Sequence, residues 1–292
     1  FVLSSNYKAP SKPTSSLSTI DINNDGNLDI IVGGSSVAGS YPLSEKTYVM
    51  LNKGNGNFVP IYNKSLNSTK LPNDIKVGDI DNDGNNEIII ACEWGPVRIY
   101  KNSDNGLQEI TTDLKLDSRT GWWNSINLND FDNDGDLDIL ATNFGYNTKY
   151  KASISKPELL YFSDFDESGN FDIVEAKYEN DVLLPVRGRS CSSHAMPFLL
   201  DKFNTFDSFA RASLQEIYTP QKLDDSKIYK ATELRSGILL NDGTGKFEFS
   251  ALPRIVQIAP GYGVELFDYN GDTHLDIYMV QNFYGPEPET GH

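Results

Sequence analysis

Cysteine is almost missing from this sequence: Cys92 and Cys191 are the only two, too few for a disulfide framework and too few for a zinc cluster. Whether they bond to each other is left open, because pairing needs nearby Cα atoms. Histidine is nearly as scarce, with three in 292 residues, which leaves little imidazole for general acid–base chemistry. No Gly-x-Ser-x-Gly, His-Glu-x-x-His or phosphate-cradling glycine loop occurs. No stretch approaches the roughly 18 apolar residues that cross a bilayer as a helix. The opening Phe1-Val2-Leu3-Ser4 lacks the basic and apolar regions of a signal peptide, so the chain reads as soluble and already processed or cut. Positive charge is short as well. With 25 basic against 41 acidic residues the formal charge is -16, which disfavours nucleic acid and anionic membranes and suits a binder of cations. Helix-favouring runs are rare, whereas Tyr, Phe and Gly are plentiful, a composition of strands and turns.

What the chain does contain is a repeated nine-residue pattern. The oxygen-bearing residues of its first copy are Asp21, Asn23, Asp25, Asn27 and Asp29. The second copy has Asp79, Asp81, Asp83, Asn85 and Glu87, and the third Asp130, Asp132, Asp134, Asp136 and Asp138. Two looser copies follow. Asp164, Asp166, Ser168, Asn170 and Asp172 place serine at the fifth position, while Asp268, Asn270, Asp272, His274 and Asp276 move the glycine from sixth place to fourth.

A hard cation takes six to eight oxygens at about 2.3–2.6 Å, and alternate residues of a tight loop can supply them. Positions 1, 3, 5 and 9 are expected to offer side chains and position 7 a backbone carbonyl. Glycine at 6 permits the positive φ of a sharp turn. One Asp-Asn-Asp-Gly cluster would be explained by turn chemistry alone. Five copies with donors at the same offsets point to Ca²⁺, three to five ions in all, rather than to Mg²⁺ with its octahedral demand and retained waters. An EF-hand would carry its last acid at position 12 and run into a helix. Here the last acid is at 9, and Ile30-Ile31-Val32, Ile88-Ile89-Ile90 and Ile139-Leu140-Ala141 follow as short strands. Without metal each loop crowds like charges, so calcium should raise stability.

Between the loops lies a second hairpin signature, Tyr48 to Phe58 and again Gly237 to Phe247, with Val97 to Leu107 a third version. An acidic-loop hairpin followed by a glycine-turn hairpin makes four antiparallel strands, one blade of a β-propeller. The chain is therefore expected to be all-β, one propeller domain or a fragment of it over residues 1–292. Roughly four blades and the beginning of another are accounted for. Loop starts are spaced by 58, 51, 34 and 104 residues. The short interval reads as a compressed blade or as a loop placed between different strands. The long one reads as an insertion, 185–235, with a short helix near Lys202 to Tyr218 capped by Thr205.

On these loops, the sequence resembles the FG-GAP/VCBS repeat family, β-propellers related in pattern to the integrin α head. A closer resemblance is to the secreted cartilage acidic protein-like, ASPIC-associated proteins. It is carried by Gly121-Trp122-Trp123-Asn124-Ser125-Ile126, by Asn143-Phe144-Gly145-Tyr146-Asn147-Thr148, and by Pro185 to Ser193 with Met196-Pro197-Phe198. The resemblance implies a propeller of about seven blades, of which this chain would be a part, together with export and calcium, and it carries over no particular enzymatic activity. Ser168 and Gly271 depart from the loop pattern.

The function expected is thus a non-catalytic, extracellular or cell-surface module that binds a glycan or a surface protein, with no nucleic-acid partner and no membrane insertion. Trp122, Trp123, Arg187, Arg189 and His194 are candidate ligand contacts, since aromatic faces and forked guanidiniums suit sugars and carboxylates. Each also has a structural reading, tryptophans as core and arginines as partners of nearby carboxylates. A calcium-dependent polysaccharide lyase or hydrolase using Arg189 and His194 is a second reading, and a structural subunit of a surface assembly a third.

Overall fold

The computed structural model describes residues 12–103 and 106–282. Two compact units emerge, Phe1–Asn147 with Leu234–His292, and Thr148–Glu233.

The first unit opens with β1 (Thr14–Ile20), β2 (Asp29–Gly34), β3 (Tyr48–Asn52) and β4 (Phe58–Ile61), an antiparallel sheet in sequence order. A second blade follows as β5 (Pro72–Gly78), β6 (Glu87–Gly95), β7 (Arg98–Ser103) and β8 (Gly106–Glu109), with β9 (Gly121–Trp122) paired to β6. The third begins with β10 (Ile126–Asn129) and β11 (Asp138–Ala141), where the chain leaves for the second unit. There β12 (Glu158–Ser163), β13 (Asp172–Glu179), β14 (Val182–Pro185) and, after the helices, β15 (Lys227–Ala231) form a sheet in the order β14-β13-β12-β15. The helices between are α1 (Arg189–Ala195), α2 (Phe198–Lys202), α3 (Phe206–Ala210), α4 (Leu214–Tyr218) and α5 (Pro220–Asp224). Back in the first unit, β16 (Gly237–Asn241) pairs with β11 and β17 (Phe247–Ala251) completes the third blade. The hairpin β18 (Gly261–Phe267) and β19 (Asp276–Gln281) follows.

The alternation of side chains along β6 explains how the blades stack. Ile88, Ile90 and Cys92 join Ile20, Ile31, Val49 and Ile75 of the first blade and its neighbour strand in one cluster. Ile89 and Ala91 join Trp123, Ile126, Ile139 and Leu239 in another. A strand buried on both faces has no polar face to show, which is why 88–92 reads as an unbroken apolar run with every residue fully buried. The second unit holds its own core, in which Phe165, Leu199, Leu214, Ile217 and Tyr218 are fully or almost fully buried.

Antiparallel four-stranded blades agree with the fold read from the sequence. The short interval takes the second of its two readings, a loop between different strands, since β12 and β13 are the two central strands of their sheet, whereas the insertion has other bounds than expected. The short 34-residue spacing arises because the fourth acidic loop joins β12 to β13 within the second unit, ahead of the completion of blade three. The insertion thus spans Thr148–Glu233 and carries a sheet as well as helices. Pro185, where it was expected to begin, is the last residue of β14. The single helix expected over 202–218 is instead the end of α2 followed by α3 and α4, because Ser213 starts a new capping box with Glu216 eight residues after Thr205 caps α3. Cys92 is buried and Cys191 exposed, and both are free thiols. Burial pushes the Cys92 thiol up to about 12. Among the described residues no helix is long and apolar enough to cross a membrane.

Candidate metal centres

All five acidic loops share one hydrogen-bond plan. The position-1 carboxylate accepts the amides of positions 5 and 6: Asp21 takes Asp25 at 3.1 Å and Gly26 at 2.8 Å. Asp79, Asp130, Asp164 and Asp268 repeat both bonds. The position-9 carboxylate accepts the amide of position 2, from Ile22 to Asp29 at 3.0 Å and from Ile80, Phe131, Phe165 and Tyr269 in the later loops. Asx-type bonds of this kind hold a loop in shape without a helix or a ladder.

The plan needs left-handed backbone at two places. Position 6 is glycine in four loops, with φ between 84° and 98°. Position 4 is also left-handed, at Asn24, Asn82, Asn133, Glu167 and Gly271, with φ from 55° to 78°. Asparagine tolerates this region better than most side chains, and its presence at position 4 of the first three loops was the signal available in the sequence. The fifth loop has therefore exchanged rather than lost its glycine. Gly271 takes position 4, and Thr273 is left at position 6 with φ 72°.

In three loops one carboxylate oxygen from each of three acids lies within 4.8 Å of the others: Asp79, Asp81 and Glu87; Asp130, Asp132 and Asp138; Asp164, Asp166 and Asp172. Asp138 and Glu87 are fully buried. Desolvation raises Glu87 to about 7, with Asp81 and Asp83 adding to the rise and the Ile80 amide opposing it. Burial likewise raises Asp138 against the amides of Asn241 and Phe131, and raises Asp172. Glu87 Oε1 is buried without a hydrogen-bond partner. An all-oxygen donor set, a carboxylate burdened by desolvation and an orphan oxygen fit a hard divalent cation. Bound there, Ca²⁺ would supply the counter-charge, held by Asp79, Asp81 and Glu87 and their counterparts. Ser168 does not prevent the gathering in the fourth loop. In the first loop Asn23 stands in place of an acid, and in the fifth Asp276 is not fully buried.

Position 9 also fastens the blade. Asp29 Oδ1 accepts the Asn52 amide, and Asp138 Oδ1 accepts the Asn241 amide, both at 2.7 Å. The side chains of these asparagines' counterparts reach further: Asn102 Nδ2 donates to Ile22 O at 2.6 Å, and Asn241 Nδ2 to Ile80 O at 2.7 Å. The third strands of blades two and three are thus each clipped to position 2 of the preceding blade's acidic loop. The second loop has one more occupant. Lys101 Nζ bonds Asp81 and, at 2.7 Å, Asp83, and the two carboxylates hold its pKa above the usual lysine range.

The expected ligand contacts divide between the two units. Trp123 is fully buried in the cluster between blades two and three. Trp122 is 8 % exposed and packed edge-on against Trp94 and Phe144. Neither indole can stack on a sugar without unpacking the blades, which corrects that expectation. The same segment is interblade packing throughout: Asp74 Oδ2 accepts from Ser125 Oγ and from the Ile126 amide, and Asn124 Nδ2 donates to Gly261 O. Arg187, Arg189 and His194 belong to the other unit. Arg187 pairs with Glu175 at 3.5 Å. Arg189 donates to Phe203 O and lies over the Phe206 ring, so packing occupies it. His194 is exposed near the end of α1.

A family model described as an FG-GAP-like repeat matches residues 21–90 and 79–141, the span of the first three acidic loops. That match supports the FG-GAP repeat family and blades of this kind. Of the segments that carry the closer resemblance to the cartilage acidic protein-like group, 121–126 lies within the matched residues, and 143–148, 185–193 and 196–198 lie outside them. No curated protein matches the chain.

Proposed function

We propose that this chain is a non-catalytic, calcium-loaded β-propeller module of the cell exterior, which binds a glycan or a surface protein through the loops remote from its cation sites. One observation carries the reading. A single hydrogen-bond plan recurs in the acidic loops, and in three of them it gathers three carboxylates within 4.8 Å, an arrangement costly without a counter-ion and self-consistent with one. Repeat families of this kind are typical of extracellular proteins. Extracellular modules bind calcium at about 10⁻⁴ to 10⁻³ M, which suits a calcium-rich exterior. A rigid scaffold with long loops at one end is a common setting for recognition.

The test is a thermal melt in EGTA, in millimolar Mg²⁺ and in millimolar Ca²⁺, followed by glycan-array binding of the folded protein. Calcium should raise the melting temperature by several degrees, about 2–4 °C for each kcal/mol in a unit of this size, and magnesium by much less. Equal melting in EGTA and calcium would sink the cation reading. A folded protein that misses every glycan would move the search to a protein partner.

A further inference from the structure

At the end of blade three away from its acidic loop lies a recess of about 560 Å³, lined by Tyr146, Asn147, Arg235, Leu252, Arg254 and Gln257 among others. Its place follows from the registers Ala141↔Gly237 and Gly237↔Ala251, which bring the starts of the 142–147 and 252–258 segments together. No carboxylate is among its described lining residues, although acids outnumber bases 41 to 25 in the chain.

The floor is braced. Gln257 is 4 % exposed. Its side chain accepts from Ser236 N and donates to Ser236 O and Leu252 O, while its carbonyl accepts the Tyr146 amide at 2.7 Å. Gly145 turns the chain at φ 84°, and a Cβ there would stand 2.7 Å from Gln257 O. The Arg235 guanidinium is set over the Phe249 ring at 5.2 Å. Arg254 is exposed and makes no ion pair among the described residues. Tyr146 is 47 % exposed.

From these groups we infer that the recess binds a carboxylate-bearing saccharide, the acid meeting Arg254, with the charge of Arg235 in the same lining, and the ring lying against Tyr146. Forked guanidiniums match the planar carboxylate. A half-exposed aromatic supplies area at small entropic cost, and Asn147 offers an amide to hydroxyls. A mostly preformed recess with few convergent polar groups is the usual form of a small-ligand site. The inference rests on the module reading above and names its ligand class.

Calorimetric titration of the calcium-loaded chain with cellobiouronic acid, cellobiose and tri-glutamate tests it. Saturable binding of the uronate is expected, at least tenfold tighter than that of cellobiose or of the peptide. Arg254→Gln and Tyr146→Ala, both at exposed positions, should weaken it at least tenfold with unchanged melting temperature, and Arg254→Lys should retain part of the affinity. Absence of saturable uronate binding, equal binding of cellobiose or tri-glutamate, or indifference to Arg254→Gln would each overturn the inference. If calcium still raises the melting temperature in that case, the module reading stands without this site.

Discussion

At the scale of single residues, the acidic loops separate two jobs that the sequence runs together. Positions 1 and 9 hold the loop by accepting amides, and the oxygens that converge are a subset of those that the spacing nominates. The left-handed requirement at position 4 was legible only as a preference for asparagine, because backbone angles leave no direct trace in residue type except at glycine. Lys101 is the clearest local exception. The residues before Asn52 and Asn241 are Leu51 and Leu240, so of these three equivalent positions only the one in the second blade carries an ammonium. That charge must leave Asp81 and Asp83 before a divalent cation can use them. Lys101→Met should therefore strengthen calcium binding at the second loop by roughly tenfold, equivalent to about 1.4 kcal/mol. Calcium titration of the variant checks this, with Glu87→Gln abolishing the same step. Unchanged affinity would mean that Lys101 yields without cost.

At the scale of elements, the blade is a unit whose parts speak to the next blade. The hairpin asparagines were legible as turn formers, and they are: Asn52 and Asn241 each accept the amide two residues on. Their second role was not legible, because Ile80 lies 161 residues before Asn241 and nothing local marks it as a partner. The pair invites a comparison. Asn241→Ala leaves Ile80 O without its buried donor and should cost about 1–3 kcal/mol. Asn52 Nδ2 donates only to Leu28 O at an exposed position, so Asn52→Ala should cost markedly less. Urea unfolding of the two variants measures the difference, and equal losses would show that the clip between blades contributes nothing beyond turn formation.

At the scale of the whole chain, strands and loops were readable from period-two alternation and repeat spacing, whereas the interruption of blade three was not. β11 and β16 pair across the second unit, and no residue in Ile139–Ala141 announces that its partner is delayed. The Gly145 amide donates to Leu234 O at 2.6 Å, so the two ends of the insertion already meet. Replacing residues 148–233 with a short Gly/Ser link is thus expected to leave the first unit cooperatively folded and calcium-responsive. Loss of a cooperative melt in that deletion would show that blade three depends on the second unit.

The same interruption sets a schedule on the ribosome. Between Ala141 and Gly237 lie 95 residues, and at roughly 5–20 residues per second their synthesis takes on the order of 5 to 20 s. For that interval β11 presents an open edge while the inserted segment, which has its own core, emerges complete. The order in which the two can fold is therefore the reverse of the order of nesting. The guest is able to settle first, and the host blade closes only when Asn241 has been made and can reach back to a loop translated long before it.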